Sequence, residues 1–282
     1  MARVRRTKIV RFGVVNGQPP YCYKDLSTGA WRGFLVDITK DLASGLGAEA
    51  QPVESTWGNA VLDVQANKVD LFFGLAPSPE RAKVVDFTKS LYQNAFSLIA
   101  RRGFAPKTWQ DLNDPSVTIA IELGTVYDLN IDKLCPKASV VRLKSNNEAL
   151  LTVQAGRADC QIIVVIFALT TLTRNPGLGH LVVPEPLFGS TTNGMLAKEA
   201  DPVWRDYVDA WIDKRRGAGE LRRVLVDNLG QVGVPASAVP PQLLFRGSTW
   251  ISGSPVNRHW CVAAVGAWGA RLRRRWRKRA WC

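Results

Sequence analysis

The clearest pattern in the chain is one that occurs twice. Val61-Leu62-Asp63-Val64-Gln65-Ala66-Asn67-Lys68-Val69-Asp70 lines up with Leu150-Leu151-Thr152-Val153-Gln154-Ala155-Gly156-Arg157-Ala158-Asp159, 89 residues later. Each copy reads as a helix, a short basic turn and then a strand, Leu71-Phe72-Phe73 in the first and Gln161-Ile162-Ile163-Val164-Val165 in the second. Those strands are apolar at successive positions, as a parallel strand covered by helices on both faces requires. The repetition predicts two similar lobes of alternating β and α structure.

Within the first lobe, Ile9 to Val15 reads as a strand, and Gly33 to Gly47 as a helix with Phe34, Leu35, Ile38, Leu42 and Leu46 on one stripe, ended by Gly45 and Gly47. A helix from Trp57 to Asn67 and a strand from Val69 to Phe73 follow. In the second lobe Val117 to Ile121 is a strand and Gly124-Thr125 opens a helix running to about Leu134. Ser139 to Leu143 is the next strand, and Ser145-Asn146-Asn147-Glu148 is a capping box for a helix ending at Gly156. Ala95 to Arg101 is extended and leads out of the first lobe, Leu187 to Ala197 leads back, and helices Val203 to Lys214 and Glu220 to Leu229 complete it. Two crossings predict a hinge with an interlobe cleft, where small ligands bind. The expected boundaries are residues 1–101 and 190–245 for lobe 1 and 102–189 for lobe 2.

Composition adds limits. Of 282 residues, 46% are hydrophobic and 22% charged, which supports a sizeable core and excludes a wholly disordered or collagen-like chain. No apolar run approaches the roughly 18 residues of a membrane-spanning helix. The net charge of +13 is uneven: Arg246 to Cys282 holds nine Lys/Arg and no acid, leaving +4 on the preceding 245 residues. The body is therefore only mildly basic, and no nucleic-acid partner is expected. The same tail carries Trp250, Trp260, Trp268, Trp276 and Trp281, half of the ten tryptophans. It is expected to be a disordered extension, with contact to an anionic membrane as the competing reading. With His180 and His259 as the only histidines and no CxxC spacing, no metal or cofactor is expected. Cys135 and Cys160 either close one disulfide in an oxidising compartment or are two buried thiols. Met1 to Lys8 is basic like the start of a signal peptide, but no apolar segment follows it, so no export signal is visible.

Five segments then carry a resemblance. Gly33-Phe34-Leu35-Val36-Asp37-Ile38, Val69-Asp70-Leu71-Phe72-Phe73-Gly74, Ser78-Pro79-Glu80-Arg81, Val85-Asp86-Phe87-Thr88 and Gly156-Arg157-Ala158-Asp159 stand in one order across about Ile9 to Val234. Together they resemble the family 3 extracellular solute-binding proteins, the receptors of bacterial ABC importers for polar amino acids. The resemblance implies a two-lobe α/β fold of the periplasmic-binding-protein type, a periplasmic location, an ABC permease as partner and a small amino acid or carboxylate as ligand. It also implies cleft-facing positions. Arg81 matches the arginine that pairs with the ligand carboxylate, and a planar guanidinium supplies a bidentate fork that lysine lacks. Ser78 as N-cap with Pro79 at N1 places it in a first helical turn. Trp57 matches an aromatic wall, Tyr21 lies in a loop directed at the cleft, Gly74 lets backbone approach the ligand, and Gly124-Thr125-Val126 matches the turn that closes from the second lobe.

Two positions depart from the family pattern. Ala76 stands where a Ser or Thr commonly bonds the ligand. Val164 stands where amino-acid receptors place the aspartate that holds the α-ammonium, and valine cannot pair with a cation. Glu122 and Asp128 are the nearby acids that remain as replacements. The sequence reading is a binding receptor that performs no chemistry; the alternatives are a cyclohexadienyl dehydratase-like enzyme, which needs a general acid in the cleft, and a ligand-sensing domain.

Overall fold

Helix α1 (Ala2–Thr7) leads into β1 (Ile9–Val15), the small pair β2 (Tyr23–Lys24) and β3 (Trp31–Arg32), α2 (Phe34–Ser44), β4 (Glu49–Ser55), α3 (Ala60–Gln65), β5 (Phe72–Leu75), α4 (Pro79–Ala82) and the long β6 (Val85–Ala100). There follow α5 (Trp109–Leu112), β7 (Thr118–Glu122), α6 (Asp128–Leu134), β8 (Ser139–Leu143), α7 (Asn146–Gln154), β9 (Cys160–Val164), α8 (Val165–Arg174) and β10 (His180–Val182). Strand β11 (Gly189–Ala197) returns to the first lobe, which α9 (Pro202–Gly217) and α10 (Glu220–Gln231) complete. This computed structural model describes residues 1–198 and 201–239. The basic, tryptophan-rich segment 246–282 lies outside the described residues.

The two lobes are built alike. In the first, β4 and β1 run parallel, Phe12 bridges Leu71 in parallel, and β11 lies antiparallel between β5 and β6. In the second, β8, β7 and β9 run parallel, with β9 antiparallel to β6. The repeated segment explains itself here. Asp70 N donates to Arg11 O while the Asp70 carboxylate accepts from Arg11 N, and Asp159 does the same with Thr118 at the start of β7. Upstream, the N–H groups of Ala66, Asn67 and Lys68 return to Leu62, Val64 and Asp63, as those of Ala155, Gly156 and Arg157 return to Leu151, Val153 and Thr152. Each copy therefore stops a helix and locks the next strand beside its neighbour by one hydrogen-bond pattern.

The interlobe crossing differs from expectation. Extended structure was expected from Ala95, as a linker between separate sheets; instead β6 is one sixteen-residue strand that belongs to both. Val85 to Ala95 pair with β11, and Phe96 to Ala100 pair with β9. One hydrogen-bonded path thus runs from β5 to β8 through the crossing itself. No Gly or Pro interrupts Val85 to Ala100, so nothing in the sequence ends the strand at the lobe boundary.

Smaller differences have local causes. Helix α3 begins at Ala60, three residues after Trp57, because Thr56 first closes a turn by accepting from Asn59 N. The Ser145 hydroxyl accepts from Glu148 N at 3.2 Å as a cap should, but the Glu148 carboxylate accepts from Lys144 N and not from Ser145 N. Strand β4 was unanticipated, since Pro52 and its polar alternation mark an edge strand with only β1 beside it. Cys22, Cys135 and Cys160 are buried free thiols, which decides the disulfide alternative in favour of two thiols. Among the described residues no helix is long and apolar enough to cross a membrane, and no group of His, Cys, Asp or Glu could hold a metal ion.

Candidate functional site

A small cavity of about 50 Å³ lies between the lobes, walled by β5 and its following loop, the Thr125 turn, the junction of β9 with α8, and the crossing strands β6 and β11. Tyr21, Trp57, Gly74, Ala76, Arg81, Thr125, Val126 and Val164 all border it; Gly124, also expected there, does not.

Arg81 is the centre of the arrangement. Ser78 caps α4, its hydroxyl accepting from Arg81 N, and Pro79 fills N1, so the chain turns Arg81 inward. Helix α4 is a single turn, so the fork of the side chain, and not a helix terminus, supplies the positive charge. Arg81 is 8% exposed; Nη1 donates to Ala76 O at 2.9 Å and Nη2 donates across the cleft to Gly124 O at 2.7 Å. Burial draws its pKa below the ordinary arginine value, with the Glu80 charge acting against this. Among the described residues no carboxylate forms a salt bridge with it. A cation held on neutral carbonyls in a cavity is a ready partner for an anion.

Trp57 is buried at the wall, its ring 6.0 Å from that of Phe72. Gly74 borders the cavity with φ +105°, a backbone conformation that favours glycine, and a Cβ there would lie 2.9 Å from Leu35 Cδ1 and 3.0 Å from Trp57 Cη2, so its missing side chain also makes room for the indole of the wall. Tyr21 is buried after the Pro19-Pro20 turn; its hydroxyl is shared with that of Tyr92 and lies 3.4 Å from Thr192 Oγ1. Burial raises its pKa far above the ordinary value.

The second lobe also departs from expectation. The Gly124 N–H donates to Asp128 Oδ2 at 2.8 Å, so it faces its own lobe while the Gly124 carbonyl faces Arg81. A Cβ on Gly124 would stand 2.8 Å from Gly58 Cα of the first lobe, so the two backbones approach closely across the cleft. Thr125 Oγ1 donates back to Glu122 O. Helix α6 starts only at Asp128, because Gly124 to Tyr127 form the turn itself. Val164 closes β9 at the cavity wall, 8% exposed. Neither acid replaces the missing aspartate on that wall. Asp128 is held by Arg142 Nε at 2.7 Å, and Glu122, 3% exposed and off the cavity, has its pKa pushed up to about 8 by burial and, less, by the Glu148 charge.

Sequence reasoning missed the floor. Asn94, Ser190, Thr191 and Thr192 from the crossing strands border the cavity, as do Tyr127 and Phe167. Part of the signal was present: Ser190-Thr191-Thr192, inside the returning segment read as a crossing, is polar, and Ser190 pairs with Asn94, one residue before the outgoing segment read from Ala95. Further polar contacts join the lobes beyond the cavity, from Asn146 Nδ2 to Gln18 Oε1 at 3.0 Å and from Thr170 Oγ1 to Pro19 O at 3.1 Å.

With the geometry in place, comparison with known proteins is informative. Residues 10–231 match the bacterial extracellular solute-binding proteins, family 3. The chain is similar to the ABC transporter glutamine-binding protein GlnH of Bacillus subtilis (strain 168), 28% identical over 231 residues that cover 79% of this chain and 82% of that protein. It is also similar to the cyclohexadienyl dehydratase of Pseudomonas aeruginosa (strain PAO1), 23% identical over 224 residues, 78% of this chain and 82% of the enzyme. Among solved structures, an ancestral amino acid-binding protein described as a precursor of cyclohexadienyl dehydratase superposes with a TM-score of 0.71 at 26% identity, covering 79% of this chain and 96% of that one. A family match that spans the first strand of lobe 1, the whole of lobe 2 and the return to α10 leaves one conclusion: the chain belongs to the bacterial extracellular solute-binding proteins, family 3.

Proposed function

We propose that the protein is the extracytoplasmic receptor of an ABC-type importer and binds a small carboxylate-bearing solute, a polar amino acid or a related acid, between its lobes. The observation that carries this reading is Arg81: a buried guanidinium on the cavity wall that, among the described residues, is held by the carbonyls of Ala76 and Gly124. A ligand carboxylate takes the fork bidentately, Trp57 packs against its apolar part, and Thr125 and Val126 close from the second lobe. Of the described residues, the division that fits this reading puts 1–101 and 190–239 in lobe 1 and 102–189 in lobe 2, with Phe96 to Ala100 pairing into the sheet of lobe 2; residues 240–245 of the expected boundary lie outside the described residues. The partner is the importer's permease, and the location is the periplasm or cell exterior, as the family description supports. Membrane contact by residues 246–282 falls outside the described residues.

The role is binding without chemistry. Arg81 is the charged side chain on the wall among the described residues, and general acid catalysis of the kind a dehydratase needs calls for a titrating group within reach of the ligand. Glu122 has the raised pKa such an acid requires but does not border the cavity. Between the two ligand classes, polar amino acid and related acid, Val164 favours the acid without an ammonium, because a buried ammonium there lacks its counter-ion, at a cost of several kcal/mol. Calorimetry with matched pairs, each an amino acid and its desamino analogue, tests this. Equal or tighter binding of the analogue is expected; a hundredfold preference for the amino acid would overturn the assignment of a ligand without ammonium.

A further inference from the structure

The cavity floor carries a group that the carboxylate reading does not use. Asn94 is 3% exposed and borders the cavity, and both of its side-chain polar atoms, Oδ1 and Nδ2, lack a hydrogen-bond partner. It lies near the Tyr21 hydroxyl without completing a hydrogen bond to it, and that hydroxyl is shared with Tyr92. A buried amide with donor and acceptor both unpaired is costly, and at a cavity wall it points to an occupant that pairs with both. Ser190 sits directly opposite Asn94 in the antiparallel ladder, so its hydroxyl shares the same face and also borders the cavity.

Resting on the carboxylate reading above, we propose that Asn94, with Ser190 beside it, is the subsite that reads the far end of the ligand and selects an uncharged group that both donates and accepts, a primary carboxamide being the best match. The donor and acceptor inventory carries the choice. A carboxamide meets the asparagine amide reciprocally, N–H to Oδ1 and C=O to Nδ2, and leaves neither unpaired. An ammonium pairs with Oδ1 alone and leaves Nδ2 facing a cation. A second carboxylate pairs with Nδ2 alone and places its charge against Oδ1. Arg81 is the charged side chain on the wall among the described residues, so either charged end would also lack a counter-ion. The preferred ligand is therefore a monocarboxylate ending in a carboxamide.

The test is calorimetry on the full chain with two series that share one carboxylate and vary only the far end. The five-carbon series is glutaramate, glutarate, 5-aminopentanoate and the apolar isostere 5-methylhexanoate; the four-carbon series is succinamate, succinate, 4-aminobutanoate and 4-methylpentanoate. In at least one series the carboxamide is expected to bind about tenfold or more tightly than its three analogues, the usual return on satisfying a buried polar pair. Asn94→Leu is expected to erase that preference while keeping affinity for the apolar isostere. Asn94→Asp, a near-isosteric change that guards against a folding defect in the leucine variant, is expected to shift the preference towards the ammonium end. Carboxylates that bind through Arg81, shown by loss of binding in Arg81→Gln, but with no carboxamide preference or with one that survives Asn94→Leu, would overturn the subsite and leave the carboxylate reading standing. Binding of no carboxylate in either series, or binding unaffected by Arg81→Gln, would overturn the carboxylate reading and the subsite with it.

Discussion

Replacing Arg81 with glutamine separates a binding arginine from a structural one. The guanidinium makes two hydrogen bonds to neutral carbonyls, Ala76 O at 2.9 Å and Gly124 O at 2.7 Å, and it is 8% exposed. Charge-assisted bonds contribute roughly 1.5–3 kcal/mol each. Against them stands the desolvation of a cation with no carboxylate partner, also several kcal/mol. These nearly cancel, so the fold loses little when the charge goes. In a chain of this size 1 kcal/mol moves Tm by about 2–4 °C, and Arg81→Gln is expected to shift the ligand-free Tm by no more than about 4 °C in either direction. Binding is different, because only the liganded state pairs the charge with an anion. Removing that partner costs about 2–5 kcal/mol, roughly 30-fold to several thousand-fold in Kd. Differential scanning fluorimetry and calorimetry on the same preparation read both quantities. A Tm lowered by 10 °C or more with affinity unchanged would show that Arg81 serves the fold, and the reasoning from its unpaired charge would fail.

Three further outcomes are expected. Gly124→Ala sets a Cβ 2.8 Å from Gly58 Cα across the cleft, so it should hold the lobes apart, seen as a larger radius of gyration in X-ray scattering and weaker binding; an unchanged radius and affinity would show that this approach is not needed for closure. Glu122 has its pKa raised from 4.5 to about 8, so the folded state holds a proton that the unfolded state releases, and its contribution is fully favourable below about pH 4.5 and is lost as pH rises towards 8; Glu122→Gln should raise Tm at pH 7 to 8, by the equivalent of about 3 kcal/mol at pH 7, and leave it nearly unchanged at pH 4.5, whereas equal effects at both pH values would refute the raised pKa. Burial pushes the thiol of Cys135 up to about 11 and that of Cys22 up to about 12, and raises that of Cys160 as well, so in a Cys261→Ser/Cys282→Ser background none should react with a thiol reagent until the chain unfolds; labelling in the native state would contradict their burial.

How far the sequence discloses this molecule depends on whether a feature is local. The repeated segment is legible because each copy completes its own task, ending a helix and pinning an aspartate to the adjacent strand, with matching residue types at Asp70 and Asp159. The setting of Arg81 is legible for the same reason: Ser78 and Pro79, three and two residues away, determine its turn. At Gly74 the positive φ is a local feature, but the room glycine leaves for Trp57, seventeen residues earlier, is one that no local pattern records. Glu122 and Asp128 show the same limit. Whether a carboxylate near the Gly124 turn faces a ligand depends on Arg142, which captures Asp128 from β8, and on the packing that buries Glu122. The floor of the cavity was missed because Asn94 and Ser190 gain meaning only when two strands distant in sequence are laid side by side.

Closure links these observations. Polar contacts that join the lobes include Arg81 to Gly124, Asn146 to Gln18 and Thr170 to Pro19. The two between neutral groups contribute about 1 kcal/mol net each, and the charge-assisted one roughly 1.5–3 kcal/mol. A ligand carboxylate takes the Arg81 fork and displaces the Gly124 carbonyl from it. The bond that replaces it is ionic on both sides and stronger than one to a neutral carbonyl. That difference, added to whatever the floor contributes through Asn94, is the free energy by which a ligand shifts the population towards the closed form, since only differential affinity for one state moves such an equilibrium. A ligand that reached Arg81 but left Asn94 unpaired would therefore close the cleft less completely than one that satisfied both.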